Sequence, residues 1–136
     1  MTAKKFVAAL LALGMHTLPA HAAGAKVEGH WAGDQLQLVI DAKGGHIETG
    51  CASGEITGPI KLAEDGSFAA LGTFQIHHGG PQHAADAAVA VAAPAARFRG
   101  AVKAGSMRLE ILPAGAVAPE VFNLRAGARI KLIRCL

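Results

Sequence analysis

Leu36, Leu38 and Ile40 alternate with Gln35, Gln37 and Val39. The same period of two runs through Phe68, Ala70, Gly72, Phe74 and Ile76, then Phe98, Gly100 and Val102, then Met107, Leu109 and Ile111. Successive side chains of a strand point to opposite faces, so each run reads as a strand with one buried face. Glu64-Asp65-Gly66, Lys103-Ala104-Gly105 and Arg125-Ala126-Gly127 fall between such runs. Alternating apolar runs separated by such glycine-containing turns indicate antiparallel hairpins. The pattern predicts strands over 27–31, 35–40, 46–51, 55–62, 67–77, 96–102, 106–112, 121–124 and 128–135. No amphipathic helix of ordinary length competes with them. The fold class is therefore all-β. A meander of about eight strands hides its edges by closing or by splitting into two packed sheets. A small antiparallel up-and-down β-barrel is the expected architecture, with a sandwich as the second choice.

One segment departs from this pattern. Residues 77–96 (HHGGPQHAADAAVAVAAPAA) begin with a Gly79-Gly80-Pro81 strand breaker and continue into an alanine-rich stretch interrupted by Pro94. Alanine favours helix, but Val89, Val91 and the proline oppose a long one, leaving a long loop between two hairpins. Long loops are over-represented at functional sites.

The N-terminus has a different grammar. Lys4 and Lys5 precede ten uncharged apolar residues, Phe6 to Met15, and Pro19 leads to an A-x-A ending at Ala22. This three-part order predicts a secretory signal peptide over 1–22, cleaved after Ala22. Ten residues of helix measure roughly 15 Å, half of a ~30 Å hydrocarbon core, so a membrane span is not expected. Residues 23–136 then form a single domain, periplasmic or secreted, with no stable membrane insertion.

Cleavage changes the charge argument. The chain has 13 Lys and Arg against 10 Asp and Glu, and the signal removes two lysines and no acid. The mature balance is close to neutral, and its charges are interspersed along the chain. With few aromatics and no basic run, a nucleic-acid surface is not expected.

Two cysteines, Cys51 and Cys135, remain in a compartment expected to be oxidising. They read as one disulfide. A free thiol pair and a metal site are the alternatives, and the near-terminal place of Cys135 favours a tether. Such a bridge between an early strand and the last residues is expected to join the ends of the sheet.

Chemistry is harder to place. His77, His78 and His83, with Gly79, Gly80 and Pro81, form the candidate binding loop, because imidazoles on a loop suit zinc or copper. Adjacent histidines on a strand point to opposite faces, however, and the spacing matches no metal motif. Whether a metal binds is left open, and no cofactor is called for. Glu48 and Glu55 flank Cys51 as potential acid–base groups, and Glu48 with Arg97 is a possible polar cluster near the bridge. Ser53 lies outside any G-x-S-x-G elbow, no phosphate loop precedes a helix, and Trp31 reads as a core anchor. No catalytic set emerges.

Gly29-His30-Trp31 followed by a meander resembles the early Gly-x-Trp of lipocalin-like, or calycin-like, small barrels. The chain also resembles a group of small exported bacterial proteins with no assigned activity. That resemblance rests on Glu48-x-x-Cys51-Ala52-x-Gly54, Asp65-Gly66-x-Phe68, His78-Gly79-Gly80-Pro81, Ala96-Arg97-Phe98-x-Gly100 and Arg134-Cys135-Leu136. It implies a barrel and an exported location, and it transfers no catalytic residue. The expected function is non-enzymatic binding of a small apolar ligand or a macromolecular partner. The alternatives are an inhibitor or accessory protein of a periplasmic or extracellular enzyme, and a histidine-loop metal-binding protein.

Overall fold

Short tight turns dominate the connections, and they set an up-and-down order. In the computed structural model, which describes residues 27–79 and 92–135, eight strands follow one another. They are β1 (Gly29–Gly33), β2 (Leu36–Asp41), β3 (Gly44–Thr49), β4 (Ala52–Thr57), β5 (Ser67–Ile76), β6 (Ala95–Lys103), β7 (Ser106–Pro113) and β8 (Glu120–Ala126). Each pairs antiparallel with the next, and β8 returns to β1 to close a barrel. This closed all-antiparallel meander is consistent with a calycin-like barrel. The expected signal segment, most of the alanine-rich stretch, Gly80, Pro81 and His83 lie outside the described residues.

Local chemistry explains the turns. Asp34 (φ 45°) and Gln35 (φ 61°) form the two-residue β1–β2 link, and Ala104 (φ 49°) and Gly105 (φ 74°) the β6–β7 link. Positive φ at both central residues gives the twist that matches paired strands. Asp34 is held there because its Oδ2 accepts from the Asn123 amide at 2.6 Å and its side-chain Nδ2 at 3.0 Å. Gln35 has no such tie, and a non-glycine residue in this region costs roughly 1–2 kcal/mol. Gln35→Gly is therefore expected to raise stability by about 0.5–1 kcal/mol, read from a chemical denaturation midpoint. Before β5, Asp65 Oδ1 accepts from the Ser67 amide at 2.9 Å and hydroxyl at 2.6 Å. These bonds hold the Asp65 carboxyl below its usual range. The resulting contribution to stability is complete above the unfolded-state pKa and is lost as pH falls towards the folded-state one.

The alternating apolar residues fill the interior. Leu36, Leu38, Ile47, Phe98, Met107, Leu109, Ile111 and Leu124 are fully buried. Eight strands enclose a lumen just wide enough for side chains, so small inward residues matter. Phe68 lies directly opposite Gly100 in the β5–β6 register, and a Cβ on Gly100 would sit 2.1 Å from the Phe68 ring. Phe74 lies opposite Gly54 in the same way, 2.8 Å from where a Cβ would be. The glycines thus seat aromatic rings from the neighbouring strand. Val27, Ile60 and the half-buried Leu62 close one end, where the Trp31 Nε1 donates to the Val27 carbonyl at 3.0 Å. Trp31 is a core anchor.

Three expectations need correction. Residues 128–135 do not form a ninth strand: β8 already occupies the edge of β1 through Trp31↔Ala126 and Ala32↔Arg125, so no edge is left to pair with. The strand expected over 55–62 is instead Ala52–Thr57, because Gly58 (φ 81°) and Pro59 end it. The disulfide does not join the ends of the sheet. Cys51 lies in the β3–β4 turn, and its Cα is 5.2 Å from that of Cys135 at the end of the tail. The tail runs as a strap outside the barrel. The Gln37 side chain donates to the Ile130 carbonyl at 2.6 Å, and the Cys135 amide to the Gly50 carbonyl at 3.2 Å. Gly50 has no Cβ because the Ile133 carbonyl occupies that space. Ala32 points outward by alternation yet is only 3% exposed, as this covering predicts.

Candidate functional site

Opposite the end closed by Val27 and Ile60, the strand ends form a mouth. The β1–β2 and β3–β4 turns, the end of β5 and the start of β8 surround it, with the strap crossing beside Cys51. A cleft of about 370 Å³ opens there, lined by Phe74, Ile76, Phe122, Ile133, Asp34 and Glu120 among others. Phe74 is buried and Phe122 half-buried, so two aromatic rings form the floor. Ile76 (52% exposed) and Ile133 (74%) stand on the rim, and Val117, fully exposed, lies in the β7–β8 connection at the same end. Glu120 supplies an exposed carboxylate to the wall.

The turn beside the cleft is fixed by Thr49. Its Oγ1 accepts from the Cys51 amide at 3.2 Å and the Ala52 amide at 2.8 Å. The His77 amide donates to the Cys51 carbonyl at 2.7 Å, which extends the β4–β5 ladder by one bond. His77 is thereby brought beside the disulfide, and His78 and Gly79 follow it, both exposed.

Sequence reasoning missed one pairing. The Ser53 hydroxyl and the His77 Nε2 share a 2.8 Å hydrogen bond. Ser53 faces Gln75 in the register, so His77 is its diagonal neighbour on the outer face. Only the register reveals this, since the two residues are far apart in sequence. A hydroxyl bonded to an imidazole is half of a nucleophile–base arrangement, which also needs a group orienting the second ring nitrogen. Among the described residues no carboxylate is bonded to His77. The pair ties β4 to the segment after β5.

Glu48 and Arg97 are not brought together. Glu48 lies on β3 opposite Ser53, Arg97 lies on β6 opposite Leu71, and β4 and β5 intervene. Both are exposed. Glu55 faces His46 across β3–β4, also on the outside. Among the described residues no group of three or more His, Cys, Asp or Glu converges as a metal site. Compared with family models, curated proteins and solved structures, the chain matches none.

Proposed function

We propose that this is an exported, non-enzymatic binding protein that engages a macromolecular partner at the mouth of the barrel. The observation that carries the reading is the apolar rim. Ile76 and Ile133 stand exposed around a cleft floored by Phe74 and Phe122. Apolar side chains gathered at one end of a small domain and edged by carboxylates have the composition of a docking surface. A filled lumen favours a partner that inserts an apolar side chain into the cleft over a small ligand held inside. The Cys51–Cys135 bridge fits an oxidising compartment and fixes the strap carrying Ile133 against the β3–β4 turn. An inhibitor or accessory protein of an exported enzyme is one form this function takes.

Two measurements test it. The protein recovered outside the cytoplasm is expected to begin at Ala23, read by N-terminal sequencing; a full-length N-terminus on that protein would remove the export half of the reading. Native pull-down with the purified protein is expected to recover a discrete partner from the extracytoplasmic fraction. Ile76→Asp with Ile133→Asp should reduce recovery at least tenfold while the near-ultraviolet signal of buried Trp31 is retained. Equal recovery by the folded double variant would contradict the proposal.

A further inference from the structure

The two described segments of the chain carry opposite charge, and the barrel keeps them apart in space. Residues 92–135 carry eight Lys and Arg against two Glu, whereas residues 27–79 carry two Lys against seven Asp and Glu. On β6, β7 and β8 the outward positions include Arg97, Arg99, Lys103, Arg108 and Arg125, all exposed, with Glu110 the one acid among them. Glu110 pairs with Arg108. Outward positions of β2, β3 and β4 hold Asp41, Glu48 and Glu55 and no Lys or Arg. A nearly neutral domain is therefore polarised across its width.

We propose that the outer face of β6–β8 docks the barrel on an anionic phospholipid surface. From Arg97 to Lys103 the cations extend roughly 20 Å along the strand, a footprint that spans several headgroups. Beside Arg108, paired with Glu110, and Asn123, bonded to Asp34, the side chains of Lys103 and Arg125 and the hydroxyl of Ser106 line a shallow depression of about 350 Å³. These donors suit a headgroup phosphate. Apolar side chains are interleaved with the cations: Leu71 (66% exposed) lies opposite Arg97, and Val121 (42%) opposite Glu110. Cations mixed with exposed aliphatic groups match the boundary between headgroups and acyl chains. A single-stranded nucleic acid needs aromatic stacking platforms, and no outward position of β6–β8 is aromatic. The acidic strands face away from the surface and set the orientation.

The test is flotation of the purified exported protein with vesicles of phosphatidylglycerol and phosphatidylcholine at a ratio of about 3:7, in about 0.1 M salt. Binding is expected to exceed that to pure phosphatidylcholine at least tenfold and to disappear near 1 M salt. Each of Arg99→Gln, Lys103→Gln and Arg125→Gln should lower partitioning about fivefold. Lys43→Gln, away from this face, should leave it unchanged, as should Ile76→Asp with Ile133→Asp, which separates this proposal from the mouth reading. Equal binding to both vesicle types, no binding, or unchanged binding of the β6–β8 variants would overturn it. So would complete competition by millimolar inorganic phosphate, which would mark a free-phosphate site, or tighter binding to single-stranded DNA or an anionic polysaccharide.

Discussion

Replacing Phe68 by alanine is expected to destabilise the barrel by about 3–5 kcal/mol, because the loss extends beyond the ring's own transfer free energy. Phe68 is 6% exposed and lies over Gly100, a residue with no side chain to move into the space left behind. The converse change, Gly100→Ala, places a methyl 2.1 Å from the same ring and should cost about 1–3 kcal/mol. Shortening the aromatic relieves that clash. The double variant Phe68→Leu with Gly100→Ala should therefore be more stable than the sum of its single effects by about 1 kcal/mol or more. Denaturant titrations of the four proteins measure the coupling, and strict additivity would mean that the two residues do not share one site. The pair also gives physical content to two of the sequence motifs. Asp65-Gly66-x-Phe68 and Ala96-Arg97-Phe98-x-Gly100 are the two sides of a single packing contact.

Removing the disulfide should have the other large effect. Cys51 and Cys135 are 84 residues apart, and closing a loop of that length is worth about 4.5 kcal/mol in the chain-entropy treatment. Part of this is offset in the folded state. The barrel is closed by β1–β8 hydrogen bonding, so the freed strap gains motion without opening the sheet. Cys51→Ser with Cys135→Ser is thus expected to lose about 2–4 kcal/mol and to remain a barrel. Amide exchange should show protection lost at Cys135, whose amide bonds Gly50, and kept on the Trp31 and Leu38 strands. A double variant that unfolds the sheet at low denaturant would mean that the bridge, and not β1–β8 pairing, closes the barrel.

Much of the fold was legible because the period of two records burial directly: one face of Leu36–Asp41 is packed and the other meets water. The same logic failed at 128–135. Ala128, Ile130 and Leu132 alternate with Arg129, Lys131 and Ile133, which reads as a strand. The half-buried set instead belongs to a strap lying on a wall, because a closed barrel has no free edge. Pattern reports which side is covered and is silent about hydrogen-bonding partners. The site was less legible still. Ser53 and His77 meet only through the β4–β5 register, and the mouth rim draws Ile76 and Ile133 from distant segments. The cationic face was hidden most completely. Arg97, Arg99 and Lys103 are spaced by alternation, so no run of basic residues marks them until three strands lie side by side.

The mouth, as opposed to the lumen or the acidic wall, is the proposed docking surface. A photoreactive amino acid placed at position 76 or 133 of the full chain, and irradiated in intact cells, probes this contact. A discrete covalent adduct larger than the monomer is expected from both mouth positions and none from position 55 on the outer face of β4. Adducts from position 55 with none from 76 or 133 would contradict it.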